Sequence, residues 1–102
     1  MVRTRQHTPA FENLPGYELV REGAADLERG ETETIPALLV AIGSPRLREI
    51  GLTLPAVLPD GPEHRLYDRL SLDNADAAHG RYNALIRRLV SFERAAEHAK
   101  PG

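Results

Sequence analysis

Cysteine is absent from the 102 residues. A disulfide framework, a thiolate metal site and a cysteine nucleophile are therefore excluded, and the lack fits a reducing compartment. Lysine occurs once, against twelve arginines; with the abundant alanine, that skew reads as coding in a GC-rich bacterial genome. No apolar run approaches the roughly 18 residues of a membrane span. The polar start, MVRTRQHTPAFENLPG, lacks the apolar segment of a secretory signal. The expectation is a cytoplasmic protein that does not engage membranes.

Catalytic signatures are also missing. The glycines form neither G-x-x-x-x-G-K nor G-x-G-x-x-G, so a phosphate cradle has no support. Ser44, Ser71 and Ser91 have no acid–histidine arrangement that would activate a hydroxyl. His64 and Asp68 stand at i, i+4, and Asp76 and His79 at i, i+3, each able to share a helix face. A di-iron bundle needs two acid-x-x-His motifs and two further carboxylates. Asp76-Ala-Ala-His79 is the only such motif. No metal, cofactor or catalytic residue is expected, and no enzyme.

The charge that is present is sorted along the chain. The formal net charge is −2. Residues 12–33 carry seven acids against Arg21 and Arg29, whereas 75–102 and the Arg3/Arg5 start are each net basic. Such asymmetry can draw an acidic first helix and a basic last helix together, within one chain or between chains. A dedicated nucleic-acid binder is usually more basic overall.

Periodicity predicts one all-α domain of four or five helices. Residues 1–12 read as a mobile arm and 13–100 as the helical domain. A first helix runs from Pro15 to Arg29 with Tyr17, Val20, Ala24 and Leu27 on one face and Gly30 as its stop. TIPALLVAIG reads as a second, apolar nearly all round and so the most buried, with Thr34 as cap. A short third helix spans Pro45 to Ile50. Three prolines then make about 51–62 an extended strap, with Leu52, Leu54, Val57 and Leu58 laid on apolar surface. A fourth helix from Pro62 to about Leu72 turns Leu66, Tyr67 and Leu70 inward. Asp73-Asn74 caps a long amphipathic helix over 75–99, with Asp76 in its first turn. The expected core is Tyr17, Val20, Leu27, Leu38, Leu39, Ile42, Leu47, Leu66, Leu70, Leu85, Leu89 and Phe92.

The last helix raises the functional question. Ala78, Tyr82, Leu85, Leu89, Phe92 and Ala96 repeat at four and three, within about 80° on a wheel of about 100° per residue. Asp76, Asn83, Arg87, Arg94 and His98 gather opposite, and Arg81 and Arg88 flank the stripe, where long side chains can cover apolar surface. Gly80 also falls outward. Arginine favours both interface hot spots and phosphate. The expected function is a small protein-interaction or regulatory module, antitoxin-like or an adaptor. It would bind a bacterial protein partner through Asn83, Arg87, Arg94 and His98, and the long stripe suggests a homodimer.

Two alternatives come from other classes. ALLVAIGSPRLREIGL resembles a helix-turn-helix, with Arg46 and Arg48 on the second helix and Arg3 and Arg5 free to enter a minor groove. That helix is short, and Leu39 and Glu49 stand where the motif has a small and an apolar residue. Arg94 and His98 resemble the Arg–His pair of HEPN-type helical ribonucleases, with a shorter spacer, Ala95-Ala96-Glu97.

Overall fold

Helix α2 (Ile35–Ile42) sits at the centre of the structure, because it has no polar side chain to offer water. The structure, a computed structural model, describes residues 11–99, and these are all-α. Around α2 lie α1 (Tyr17–Glu28), α3 (Ser44–Glu49), α4 (Pro62–Asp73) and α5 (Ala78–Ala99), and α2 touches all four. Ala37, Leu38, Leu39 and Val40 are fully buried. Each large side chain among them contributes roughly 1.5–3 kcal/mol by leaving water. Thr34 caps the helix as its position suggests: its Oγ1 accepts from the Ala37 N–H at 3.1 Å. Arg3, Arg5 and the rest of 1–10 lie outside the described residues.

Helix α1 packs on α2 at backbone distance. A Cβ on Gly23 would fall 2.2 Å from the Pro36 carbonyl oxygen and 2.5 Å from Val40 Cγ2. Only glycine allows that approach. The two helices are also joined by Asp26, which is 5% exposed. Its carboxylate pairs with Arg29 and accepts from Thr34 Oγ1 at 2.7 Å. The acid that composition counts as surface charge is therefore a buried clip.

Nine of the twelve expected core residues are buried, and Tyr17, Ile42 and Leu85 are half-buried against them. Phe11, at the edge of the expected arm, packs edge-on against Phe92, ring centroids 5.8 Å apart. Tyr67 is not inward: it is 37% exposed and lies against Tyr82 at 5.8 Å. In the strap, Leu52, Leu54 and Leu58 rest on the core, but Val57 is 86% exposed. The strap bends at Ala56, and Ala56 and Val57 are both exposed there, while Pro55 and Leu58 on either side are half-buried. Helix α5 starts three residues later than expected. Asn74 Oδ1 accepts from the Ala77 N–H at 3.2 Å and holds 75–77 in a turn. Asp76 is thus in that turn and not in the first turn of the helix.

Candidate interaction site

The outer side of α5 carries the arginine face. Asn83, Arg87, Arg94 and His98 are all exposed, as the wheel predicts. Asn83 Nδ2 lies 3.2 Å from His79 Nε2, one helical turn back. Arg87, Arg88 and Arg94 make no hydrogen bond or ion pair among the described residues. Arg21 of α1 and Arg69 of α4 are likewise exposed without an ion pair among the described residues, whereas Arg29 pairs with Asp26 and Glu31, Arg65 with Glu33, and Arg81 with Asp73. Arg87 and Arg88 also border an open groove of about 350 Å³ against Pro15 and Gly16 at the start of α1.

The arginines expected to read nucleic acid are differently placed. Arg46 Nε donates to Glu97 Oε2 at 3.0 Å and its Nη2 to Oε1, which joins α3 to α5. That hydrogen bond, then the Glu97 charge, raises the Arg46 pKa and keeps it cationic. Arg48 Nη2 donates to the Pro55 carbonyl and holds the strap. Both guanidinium groups thus have partners within the chain, on a helix of six residues. Arg94 and His98 are both exposed near the end of α5. Groups of three or more histidines and acids able to hold a metal are absent among the described residues.

A second feature was missed by the sequence reading. Glu93, on the inward flank of α5, is 6% exposed. Its Oε2 lies where a Cβ on Gly43 would come within 2.8 Å, and the Leu89 methyls lie 3.0 Å from the same point. No described group donates a hydrogen bond to it. Burial raises its pKa above the ordinary glutamate range; Arg46 works against that and Glu97 with it. Leaving a buried polar group unsatisfied costs roughly 1–3 kcal/mol, more for a charge. The signal was legible: on the wheel Glu93 falls beside Leu89, at the edge of the stripe and not on the outer face. The carboxyl lines an open cleft of about 320 Å³ between the α2–α3 corner and α5, walled by Ile42, Pro45, Ile86 and Val90 and lined also by the cationic Arg46.

Among the described residues, four helices about a central apolar one define a small all-helical domain with exposed faces and open clefts. No helix of the described residues is long and apolar enough to cross a membrane. Comparison with protein-family models, curated proteins and solved structures gave no match for this chain.

Proposed function

We propose that the chain is a small protein-interaction module of regulatory type, antitoxin-like or an adaptor, that binds an acidic partner surface through α5. Arg87 and Arg94 make the contact, with Asn83 and His98 beside them. One observation carries this reading: these two arginines are exposed and have no ion pair among the described residues, while Arg46 and Arg48 are committed within the chain. Arginine left to solvent on a rigid helix can form charge-assisted contacts at small entropic cost. The same observation weighs against DNA reading by α3, which would first have to release Arg46 from Glu97.

The test is a double reversal, Arg87→Glu with Arg94→Glu, compared with the wild-type chain in capture from a bacterial lysate. Folding should change by no more than about 0.5 kcal/mol, because both side chains are on the surface. Capture of the partner should weaken about tenfold or more, equivalent to ~1.4 kcal/mol. Equal recovery by both chains overturns the reading. Recovery of nucleic acid with a steep loss on adding salt supports the DNA alternative instead.

A further inference from the structure

Four open grooves on the described residues differ in the charge they gather. Three set a guanidinium beside carboxylates: Arg21 with Glu28, Arg46 with Glu93, and Arg69 with Glu31 and Glu33. The fourth, about 350 Å³, runs between the start of α1 and the outer side of α5. Its lining holds two guanidinium groups, Arg87 and Arg88, and no carboxylate. The acids Glu18 and Glu22 of α1 are exposed but do not line it. Neither arginine has an ion pair among the described residues. The concave shape follows from the helix. At about 100° per residue, Ala84 and Ser91 fall between Arg87 and Arg88, so two small side chains form a floor between two long cationic banks. Gly16 brings the start of α1 against this floor: a Cβ there would fall 2.9 Å from the Arg88 carbonyl oxygen.

We propose that this groove receives a glutamate or aspartate side chain of a partner polypeptide, its carboxylate held by Arg87 and Arg88 and its methylenes on Pro15 and Ala84. An unopposed pair of cations selects the sign of the occupant. Guanidinium groups meet a carboxylate through charge-assisted, often paired, hydrogen bonds. The groove is too open to enclose a free ligand, so its occupant is one side chain of a docked polypeptide. The proposal rests on the reading of α5 as a surface for an acidic partner. It moves the contact from the open helix face into a concave site and adds Arg88 and the start of α1.

The experiment uses the isotope-labelled full chain and a blocked pentapeptide, Ala-Leu-Glu-Leu-Ala, followed by backbone chemical shifts at neutral pH and low salt. Controls carry glutamine or lysine in place of the glutamate. Acetate and inorganic phosphate serve as free anions, and a short single-stranded oligonucleotide as nucleic acid. The glutamate peptide should shift Gly16, Ala84, Arg87, Arg88 and Ser91 at millimolar concentration, and the control peptides should not. Arg88→Gln and Ala84→Glu alter exposed helix positions, so both variants should fold. Each should bind the peptide about tenfold or more weakly, whereas Arg94→Gln, outside the groove, should stay within about twofold of wild type.

Equal binding of the glutamine or lysine peptide overturns the proposal, as does the absence of any shift with the glutamate peptide. Full binding by Arg88→Gln or Ala84→Glu overturns it too. Acetate or phosphate that binds as well as the peptide makes the site one for a small anion, and an oligonucleotide that shifts these residues where the peptide does not makes the occupant nucleic acid. Either result also overturns it. Loss of binding in Arg94→Gln but not in Arg88→Gln puts the carboxylate on the open face: the groove then fails and the wider reading stands. Failure of the wider reading shows separately, as equal lysate capture by the wild-type chain and the Arg87→Glu, Arg94→Glu double variant.

Discussion

Gly23 and Gly80 both lie inside helices, in opposite surroundings. A methyl at Gly23 collides with the Pro36 carbonyl, part of the backbone of α2, whereas nothing lies within 4 Å of one at Gly80. Gly80→Ala should stabilise by about 0.5–1 kcal/mol, the helix-propensity gain. Gly23→Ala should destabilise by at least about 1–3 kcal/mol, because the α1–α2 contact must open. Urea denaturation of the two variants checks both signs, and similar shifts in midpoint would contradict the close approach. Glu93 gives a pH prediction. Its folded pKa is raised, chiefly by burial. The folded state therefore holds its proton more tightly than the unfolded chain does. The stability this contributes is full below the ordinary glutamate value of about 4.3 and is lost as pH rises through the higher folded value. Arg46 from α3 reduces the effect, Glu97 on the same helix adds to it, and α2 presents no titratable group to the cleft. The stability of Glu93→Gln relative to wild type should thus be greater at pH 7 than at pH 4. A difference independent of pH would mean that Glu93 is solvated.

Among the elements, α2 carries the most packing, chiefly against α1 and α4, with α5 closing over α4. Leu89 is 3% exposed on the α5 stripe, and Leu89→Ala should cost about 2–5 kcal/mol through the cavity it leaves. A loss below about 0.5 kcal/mol, typical of a surface site, would place the stripe in water. Thr34 acts twice, as cap of α2 and as donor to buried Asp26. Thr34→Ala should therefore exceed the ~1 kcal/mol of an ordinary lost cap. Thermal denaturation of Thr34→Ala beside Thr34→Ser isolates the share of the hydroxyl from that of the methyl, since serine keeps both hydrogen bonds. These elements were legible in the sequence because their signals are local. Thr-Pro opens α2, and Gly30 stops α1 in the left-handed conformation at φ 81°. The six-residue stripe of α5 turns inward, with Ala78, Leu89, Phe92 and Ala96 buried. What was not legible is the start of α5, where the Asn74 side chain competes with helical hydrogen bonding for 75–77.

For the whole molecule, the expectation of a dimer rested on a stripe left open, and the chain itself covers four of its six residues. What remains for a second copy is Tyr82 and Leu85 of the stripe, the flank at Ile42, Ile86 and Val90, all half-buried, and the exposed Val57, Tyr67 and Leu72. A standard interface needs about 800 Å² from each partner. Light scattering at tens of micromolar should read a dimer, twice the 11.3 kDa of the chain; monomer alone would overturn that expectation. The charge asymmetry also resolves differently from its simplest reading. The ion pairs of the described residues join α3 to α5, α4 to Glu33, and Asp73 to α5, and none joins the acidic α1 to the basic α5. Exposed charges in water attract weakly over distance, so packing of apolar faces, not net charge, chose the neighbours.

The sequence by itself determined the helices, their order and the apolar faces, since capping, glycine stops and 3.6-residue periodicity act within a few residues. It also sorted the arginines of α5 onto an outer face, because a helix fixes the direction of each side chain relative to its stripe. Which arginines are committed and which are open was decided only by tertiary structure. Arg46 meets Glu97 across 51 positions and Arg65 meets Glu33 across 32. The same holds for the two buried acids. Asp26 and Glu93 look like surface charge in composition, yet one is enclosed by the α1–α2 junction and the other by the α2–α3 corner. Burial and partnership depend on segments distant in the chain, and no local pattern encodes which distant segment will arrive.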